Sequence, residues 1–217
     1  MTRRIITTLT LILSLFSLGY SDTLENPVDL LNKTIVTTQN ELMENSDKYQ
    51  EDPYALIKLV DKNILPIIDT NVIAQLVVTP TKWNSATPQE QQEFIKSSTE
   101  MLTFMYVRNV ATAGKYKISL FPFTNDSWKN KSLVIVNGKI TNIGSNKSSD
   151  FSVKMFKKKN GSGWSVYDFN VAGVSIVETY KQQFAGYPTL LKINEAIEKT
   201  TNKIKEKNYP DLLNKEA

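Results

Sequence analysis

The chain has 217 residues, 41% of them hydrophobic and 22% charged, with 8 Gly and 8 Pro, which suits one ordinary folded domain with a buried core and excludes disordered, collagenous and low-complexity classes. It contains no Cys and no His, so disulfides, Ser-His-Asp triads, Cys-His pairs and zinc-activated water on His ligands are excluded, and acid-base chemistry is left to Asp, Glu, Lys and Tyr. Net charge is +4, from 26 basic and 22 acidic side chains, too even a balance for a nucleic-acid binder, and the composition leans toward binding over catalysis.

Residues 1–21 read as an export signal: Arg3 and Arg4 open it, Ile5 to Leu18 is almost all Ile, Leu, Thr and Ser, and Gly19 and Ser21 supply small residues at a peptidase site. The apolar stretch is about fourteen residues where a membrane span needs about twenty. The mature chain is expected to begin near Asp22, with a domain over 22–208 and a polar tail over 209–217. Export of a cysteine-free chain fits a bacterial periplasm.

Three capping residues followed by proline mark helix starts: Asn26-Pro27, Asp52-Pro53 and Thr87-Pro88. The first helix carries a stripe of Val28, Leu31, Ile35 and Leu42. The second carries Leu56, Ile57, Val60, Ile64 and Leu65 before Pro66 breaks it, and Val72 to Val78 reads as a short buried helix ending before Pro80. The third has a capping box, Thr87 with Glu90, and Phe94, Met101 and Met105 aligned as far as about Ala113. From Gly114 the period becomes twofold, which predicts four strands: Tyr116 to Leu120, Leu133 to Ile140, Phe151 to Met155 and Trp164 to Val171. Asn160-Gly161-Ser162-Gly163 is a hairpin turn by composition, and the preceding Lys157-Lys158-Lys159 reads as its solvated end. Helical spacing returns at Val174 with Ile176, Val177, Tyr180 and Phe184, then with Leu190, Leu191, Ile197 and Ile204 among lysines. The fold class is therefore α+β: an antiparallel four-stranded meander flanked by N- and C-terminal helices. Such a sheet curves, and helices across its concave face either fill the space or leave an apolar cavity; periodicity leaves both open.

The string Gly163-Trp164-Ser165-Val166-Tyr167-Asp168, followed by Val171-Ala172-Gly173-Val174-Ser175-Ile176-Val177 and Tyr180-Lys181-Gln182-Gln183-Phe184, resembles the signature of the MlaC or toluene-tolerance family. Trp83, Ala86-Thr87-Pro88, Gln92 and Phe94 resemble a second family block, and Asn26-Pro27 and Leu65-Pro66 are similar too. The resemblance runs from about Asn26 to Lys199. The family usually has Gly where Thr79 stands, often Glu at Ala172, Arg at Lys181 and a basic residue near Gln92. It implies a twisted antiparallel sheet of nuclear-transport-factor or cystatin-like shape wrapped by helices around an apolar cavity. It also implies a periplasmic phospholipid carrier with no cofactor that moves lipid between an outer-membrane lipoprotein bound to porin and an inner-membrane ABC complex with an MCE-domain ring; because a shuttle must diffuse and expose its docking faces, a monomer is expected.

On that reading the expected cavity wall is Val134, Val136, Phe151, Val153, Met155 and Val166 from strands, with Met105, Val174 and Val177 from helices. Alternation places Phe151, Val153 and Met155 on one face. Leu133 to Val136 is apolar on both faces, and Val166 competes with Tyr167 and Phe169 for the inward side. Val174, after Gly173, is expected to face the cavity. Trp164 is read as core and Asp168 as a hydrogen-bonded acceptor near a helix start. The alternatives are a cavity hydrolase or isomerase using Asp168 with a Tyr, and an interaction module with a solid core.

Overall fold

Asn26 begins the first helix as its sequence predicts: its side chain accepts from the Val28 backbone N–H at 2.9 Å and Pro27 takes the first helical position. The computed structural model describes residues 24–159 and 163–208. The export signal over 1–21, the tail over 209–217 and the hairpin residues Asn160, Gly161 and Ser162 lie outside the described residues. Helices α1 (Pro27–Glu44), α2 (Ser46–Glu51), α3 (Pro53–Asn63), α4 (Thr70–Leu76), α5 (Pro80–Ser85) and α6 (Pro88–Ala111) precede a sheet of β1 (Tyr116–Leu120), β2 (Leu133–Asn142), β3 (Ser148–Lys157), β4 (Trp164–Val171) and β5 (Val174–Ser175). Helices α7 (Ile176–Phe184) and α8 (Leu190–Asn208) follow. The architecture is α+β, and the sheet is an antiparallel meander in the order β1-β2-β3-β4-β5.

Five strands appear where periodicity predicts four, because Val174 pairs with Val171 before the helix begins. Ala172 and Gly173 both have positive φ, 50° and 85°, as a two-residue I′ hairpin turn requires. Ser175 then caps α7, its hydroxyl accepting from the Glu178 N–H at 3.0 Å. Pro80 also acts differently from its sequence reading. It starts α5 instead of only ending the helix before it, with Thr79 as the cap. Lys82 on α5 donates to the carbonyls of Phe184 and Ala185 at 3.0 and 2.9 Å, satisfying the C-terminal end of α7.

Helix α6 runs through the helical layer. Its 24 residues make it about 36 Å long, and the Thr87–Glu90 box holds its start: Thr87 N–H donates to Glu90 Oε2 at 2.7 Å and Glu90 N–H to Thr87 Oγ1 at 3.2 Å. Phe94 and Met101 pack with α4, α7 and α8, whereas Phe104 and Val107 pack with α1 and α3. At about 100° per residue, Val107 lies about 140° round the helix from Phe94, so the inward stripe drifts and Met105 emerges on the surface. On α8 the buried stripe is Leu190, Ile193, Ile197 and Thr201, and Leu191 is exposed. No helix among the described residues is long and apolar enough to cross a membrane.

Gly138 on β2 lies under the Phe151 ring of β3. A Cβ there would stand 2.6 Å from two ring carbons and 2.7 Å from the backbone oxygen of Ser119. The ring can turn but the β1 carbonyl is held in the ladder. Gly138→Ala is therefore expected to destabilise the protein by about 1–3 kcal/mol, seen as a lower urea midpoint with an unchanged slope; an unchanged midpoint would show that the β1–β2 ladder yields freely.

Candidate functional site

The inner face of the sheet brings six of the expected wall residues together. Val134 and Val136 of β2 stand beside Met155 and Val153 of β3, Val166 of β4 pairs with Met155, and Phe151 completes the face; all six are buried in one cluster with Val28 and Leu31 of α1 and with Trp128 and Trp164. The two-sided apolar run of β2 resolves cleanly: Leu133 and Ile135 point the other way and are exposed. The competition around Val166 resolves through a bulge. Pairing shifts between Lys154–Asp168 and Met155–Val166, so Tyr167 is the extra residue on β4. That residue changes the phase of alternation, and both Val166 and Phe169 pack on the inner face while Asp168 turns to the other side.

The three expected helix-side residues go elsewhere. Val177 is half-buried in the cluster of α4, α6, α7 and α8, not among the strand residues. Met105 is 42% exposed and Val174 is 61% exposed. Val174 does not face an enclosed cavity: as partner of Val171 it extends the inner face to the sheet's open edge. Between α4, α6 and α7 lies an apolar gap of about 10 Å³ lined by Ile73, Val77, Met101, Ile176, Tyr180 and Phe184, among others, room for about one water. Periodicity singles out Met101, Ile176, Tyr180 and Phe184 as apolar stripes but carries no sign that they meet around a gap. The Tyr180 hydroxyl donates to Met105 Sδ at 3.1 Å, and burial, with Tyr106 beside it, pushes its pKa up.

The two layers join at Asp168. Its Oδ2 accepts from Lys154 Nζ at 2.9 Å and from the Ser175 hydroxyl at 2.7 Å, and its Oδ1 accepts from the Val177 N–H at 3.1 Å. The residue is buried, 4% exposed. Burial works to raise the carboxyl's pKa, but the hydrogen bonds from Lys154, Ser175 and Val177 outweigh it and hold the group below its ordinary value. A carboxylate at the first turn of α7 also meets the positive end of the helix dipole.

Other polar groups are built into the packing. Among the described residues Trp164 Nε1, which is buried, has no hydrogen-bond partner; its ring stands beside Trp128 with centroids 6.4 Å apart. Ser97 bonds the buried Asn194, and Lys205 pairs with Glu100 at 2.7 Å across α6 and α8, beside a polar groove of about 190 Å³. Among the described residues no group of three His, Cys, Asp or Glu side chains is placed to hold a metal ion.

A helix-wrapped antiparallel sheet is the fold that the chain shares with known proteins. The profile of the family described as MlaC protein matches residues 32–205, and the chain belongs to that family. It is similar to the toluene tolerance protein ttg2D of Pseudomonas putida, 24% identical over 161 residues that cover 74% of this chain and 72% of that one. A solved structure of a phospholipid-binding protein from Ralstonia solanacearum, in complex with a phospholipid, superimposes with a TM-score of 0.72 at 21% identity, over 81% of this chain and 97% of that chain.

Because the folded pKa of Asp168 is depressed, its contribution to stability is complete above the unfolded carboxylate value, about 3.9, and is lost as pH falls through the folded value. Asp168→Ala removes that contribution and leaves the Ser175 hydroxyl and Val177 N–H without their acceptor. The expected loss at neutral pH is about 2–4 kcal/mol, moderated because Lys154 reaches solvent. Urea melts of both proteins should differ by a constant amount from pH 7 to about pH 4, and the difference should narrow as pH falls further to about pH 2; a difference that does not narrow there would show that the charge of Asp168 contributes nothing.

Proposed function

We propose that this protein is a periplasmic phospholipid carrier without catalytic activity, which holds acyl chains against the inner face of its sheet and moves lipid between the outer and inner membranes to maintain outer-membrane lipid asymmetry. Residues 1–21 act as a cleaved export signal, and the carrier works as a monomer. Its partners are an outer-membrane lipoprotein associated with porin and an inner-membrane ABC complex with an MCE-domain ring. Family membership supports this, as do the tolerance protein and the phospholipid-bound fold neighbour.

The observation that carries the reading is the inner face itself: Val134, Val136, Val153, Met155 and Val166 in adjoining rows, next to an indole N–H that has no partner among the described residues. Aliphatic rows suit acyl chains, and a free donor at their border suits an ester oxygen. One chain of ordinary length avoids a hydration penalty on the order of 10 kcal/mol, at about 0.8 kcal/mol per methylene. The aliphatic rows are buried against α1, Trp128 and Trp164, so chains reach them as the packed layers part. That exchange replaces protein–protein apolar contact with protein–lipid apolar contact, which keeps its net cost small and lets a docking partner tip the balance.

The enzyme alternative fits poorly, because Asp168 spends both oxygens on three donors and is held ionised. A general acid needs a proton, and a general base needs a free lone pair facing substrate.

Protein purified without detergent is expected to yield phospholipid on extraction with organic solvent, and an empty extract from folded protein would overturn the carrier reading. Val174→Glu, at an exposed edge position, should keep wild-type stability within about 0.5 kcal/mol while lowering the extracted lipid, because a carboxylate at the rim of the inner face resists desolvation by a chain. Full lipid content in that variant would remove Val174 from the site and leave the carrier reading standing.

A further inference from the structure

Pairing of β2 with β3 gathers a basic corner that is scattered in sequence. Leu133 pairs with Phe156, and the Lys157 N–H donates to the Ser132 carbonyl at 2.8 Å, which sets Lys157, Lys158 and Lys159 beside the segment carrying Lys129 and Lys131. Lys157 Nζ reaches the Lys129 carbonyl at 2.7 Å, so the two stretches are in contact. Lys129, Lys131 and Lys159 are exposed and Lys157 and Lys158 half-buried. Lys129 pairs with Asp126 at 2.5 Å on the surface, which leaves the corner with a clear positive excess.

The corner adjoins exposed apolar surface. Leu133 is 57% and Ile135 52% exposed on the outer face of β2, and the outward row continues through Phe156 of β3 to the Tyr167 ring, 6.2 Å away between centroids. Exposed aliphatic side chains bordered by lysines combine the two attractions a membrane surface offers, apolar insertion at the headgroup boundary and charge attraction to anionic lipid. Leu133 and Ile135 lie on the opposite side of the sheet from Val134 and Val136, so the apolar part of this surface is distinct from the inner face, whereas Lys157 and Lys129 at the corner reach back over the Trp164 and Trp128 rings, 5.7 and 5.6 Å from their centroids.

We propose that the outer face at the β2–β3 end, with its lysine corner, docks the protein on the surface of a bilayer containing anionic phospholipid. Charge complementarity selects the occupant: five lysines lie on two adjoining segments that carry one carboxylate, Asp126, and the exposed aliphatic side chains beside them suit shallow insertion. The docking does not rest on lipid carriage, and it is read out without measuring cargo.

The test is co-sedimentation of the protein, purified as it accumulates in the cell, with vesicles of phosphatidylcholine alone or mixed with phosphatidylglycerol. Binding is expected to the mixed vesicles only and to weaken with added salt as the Debye length shrinks to about 8 Å at 0.15 M. The triple substitution Lys131→Glu, Lys158→Glu, Lys159→Glu is expected to weaken binding at least about tenfold. The same charge change placed elsewhere, Lys96→Glu, Lys199→Glu, Lys203→Glu, should weaken it much less; circular dichroism checks the fold of both. Leu133→Ser with Ile135→Ser should weaken vesicle binding while leaving retention on a polyglutamate column unchanged. The proposal is overturned if the unaltered protein ignores phosphatidylglycerol vesicles at low salt, or if the two triple variants fall equally. Retention on polyglutamate without vesicle binding would assign the corner to an acidic protein surface and overturn it as well.

Discussion

A buried carboxylate near a sheet edge is costly to desolvate, and in this protein the groups that compensate Asp168 come from three different parts of the fold. Lys154 belongs to the neighbouring strand, Ser175 to the hairpin that ends the sheet, and the Val177 N–H to the first turn of α7. Satisfying one side chain therefore fixes the angle at which the chain leaves the sheet and enters its helical layer. The bulge at Tyr167 is part of the same constraint, since in a regular strand Val166 and Asp168, two residues apart, would share one side, and the carboxylate would lie in the aliphatic face with Val166. A charge and a change of phase together keep the inner face apolar.

What lies beyond that junction follows from where α7 is delivered. Tyr180 and Phe184 pack on Phe94 and on the gap beside Met101, with Phe184 edge-on to Phe94 at 6.1 Å between centroids. Lys82 holds the far end of the helix by its last carbonyls. Fixed at both ends, α7 leaves little freedom between sheet and helices except separation of apolar layers. Those layers carry Met101, Met105 and Met155, whose unbranched chains repack at low cost, a property useful to a protein whose ligand contacts must replace its own.

Much of the scaffold was visible in local chemistry. Asn26, Asp52 and Thr87 cap helices because a side-chain oxygen next to a proline start satisfies N–H groups nothing else reaches, and that logic operates within four residues. Thr79-Pro80 uses the same device yet reads equally as a stop for the preceding helix. Two-residue alternation found the faces of β3, since polar residues separate Phe151, Val153 and Met155. It left β2 open, because Leu133 to Val136 is apolar throughout and both phases bury equal area until β3 pairs with it.

The sequence by itself determined most of the element types and their order, most helix starts, the exclusion of imidazole and thiol chemistry, and the family. These depend on composition or on interactions within a few residues. Tertiary structure alone decided which side is covered where the pattern is apolar on both sides or changes phase. Periodicity states which residues share a side, but a stripe on α6 drifts across two clusters, so Phe104 is buried and Met105 exposed. A bulge, which exists only in relation to a partner strand, turned Phe169 inward and Asp168 outward. Val174, adjacent in sequence to a helix, became the rim of a sheet because two residues with positive φ reversed the chain before the helix could start.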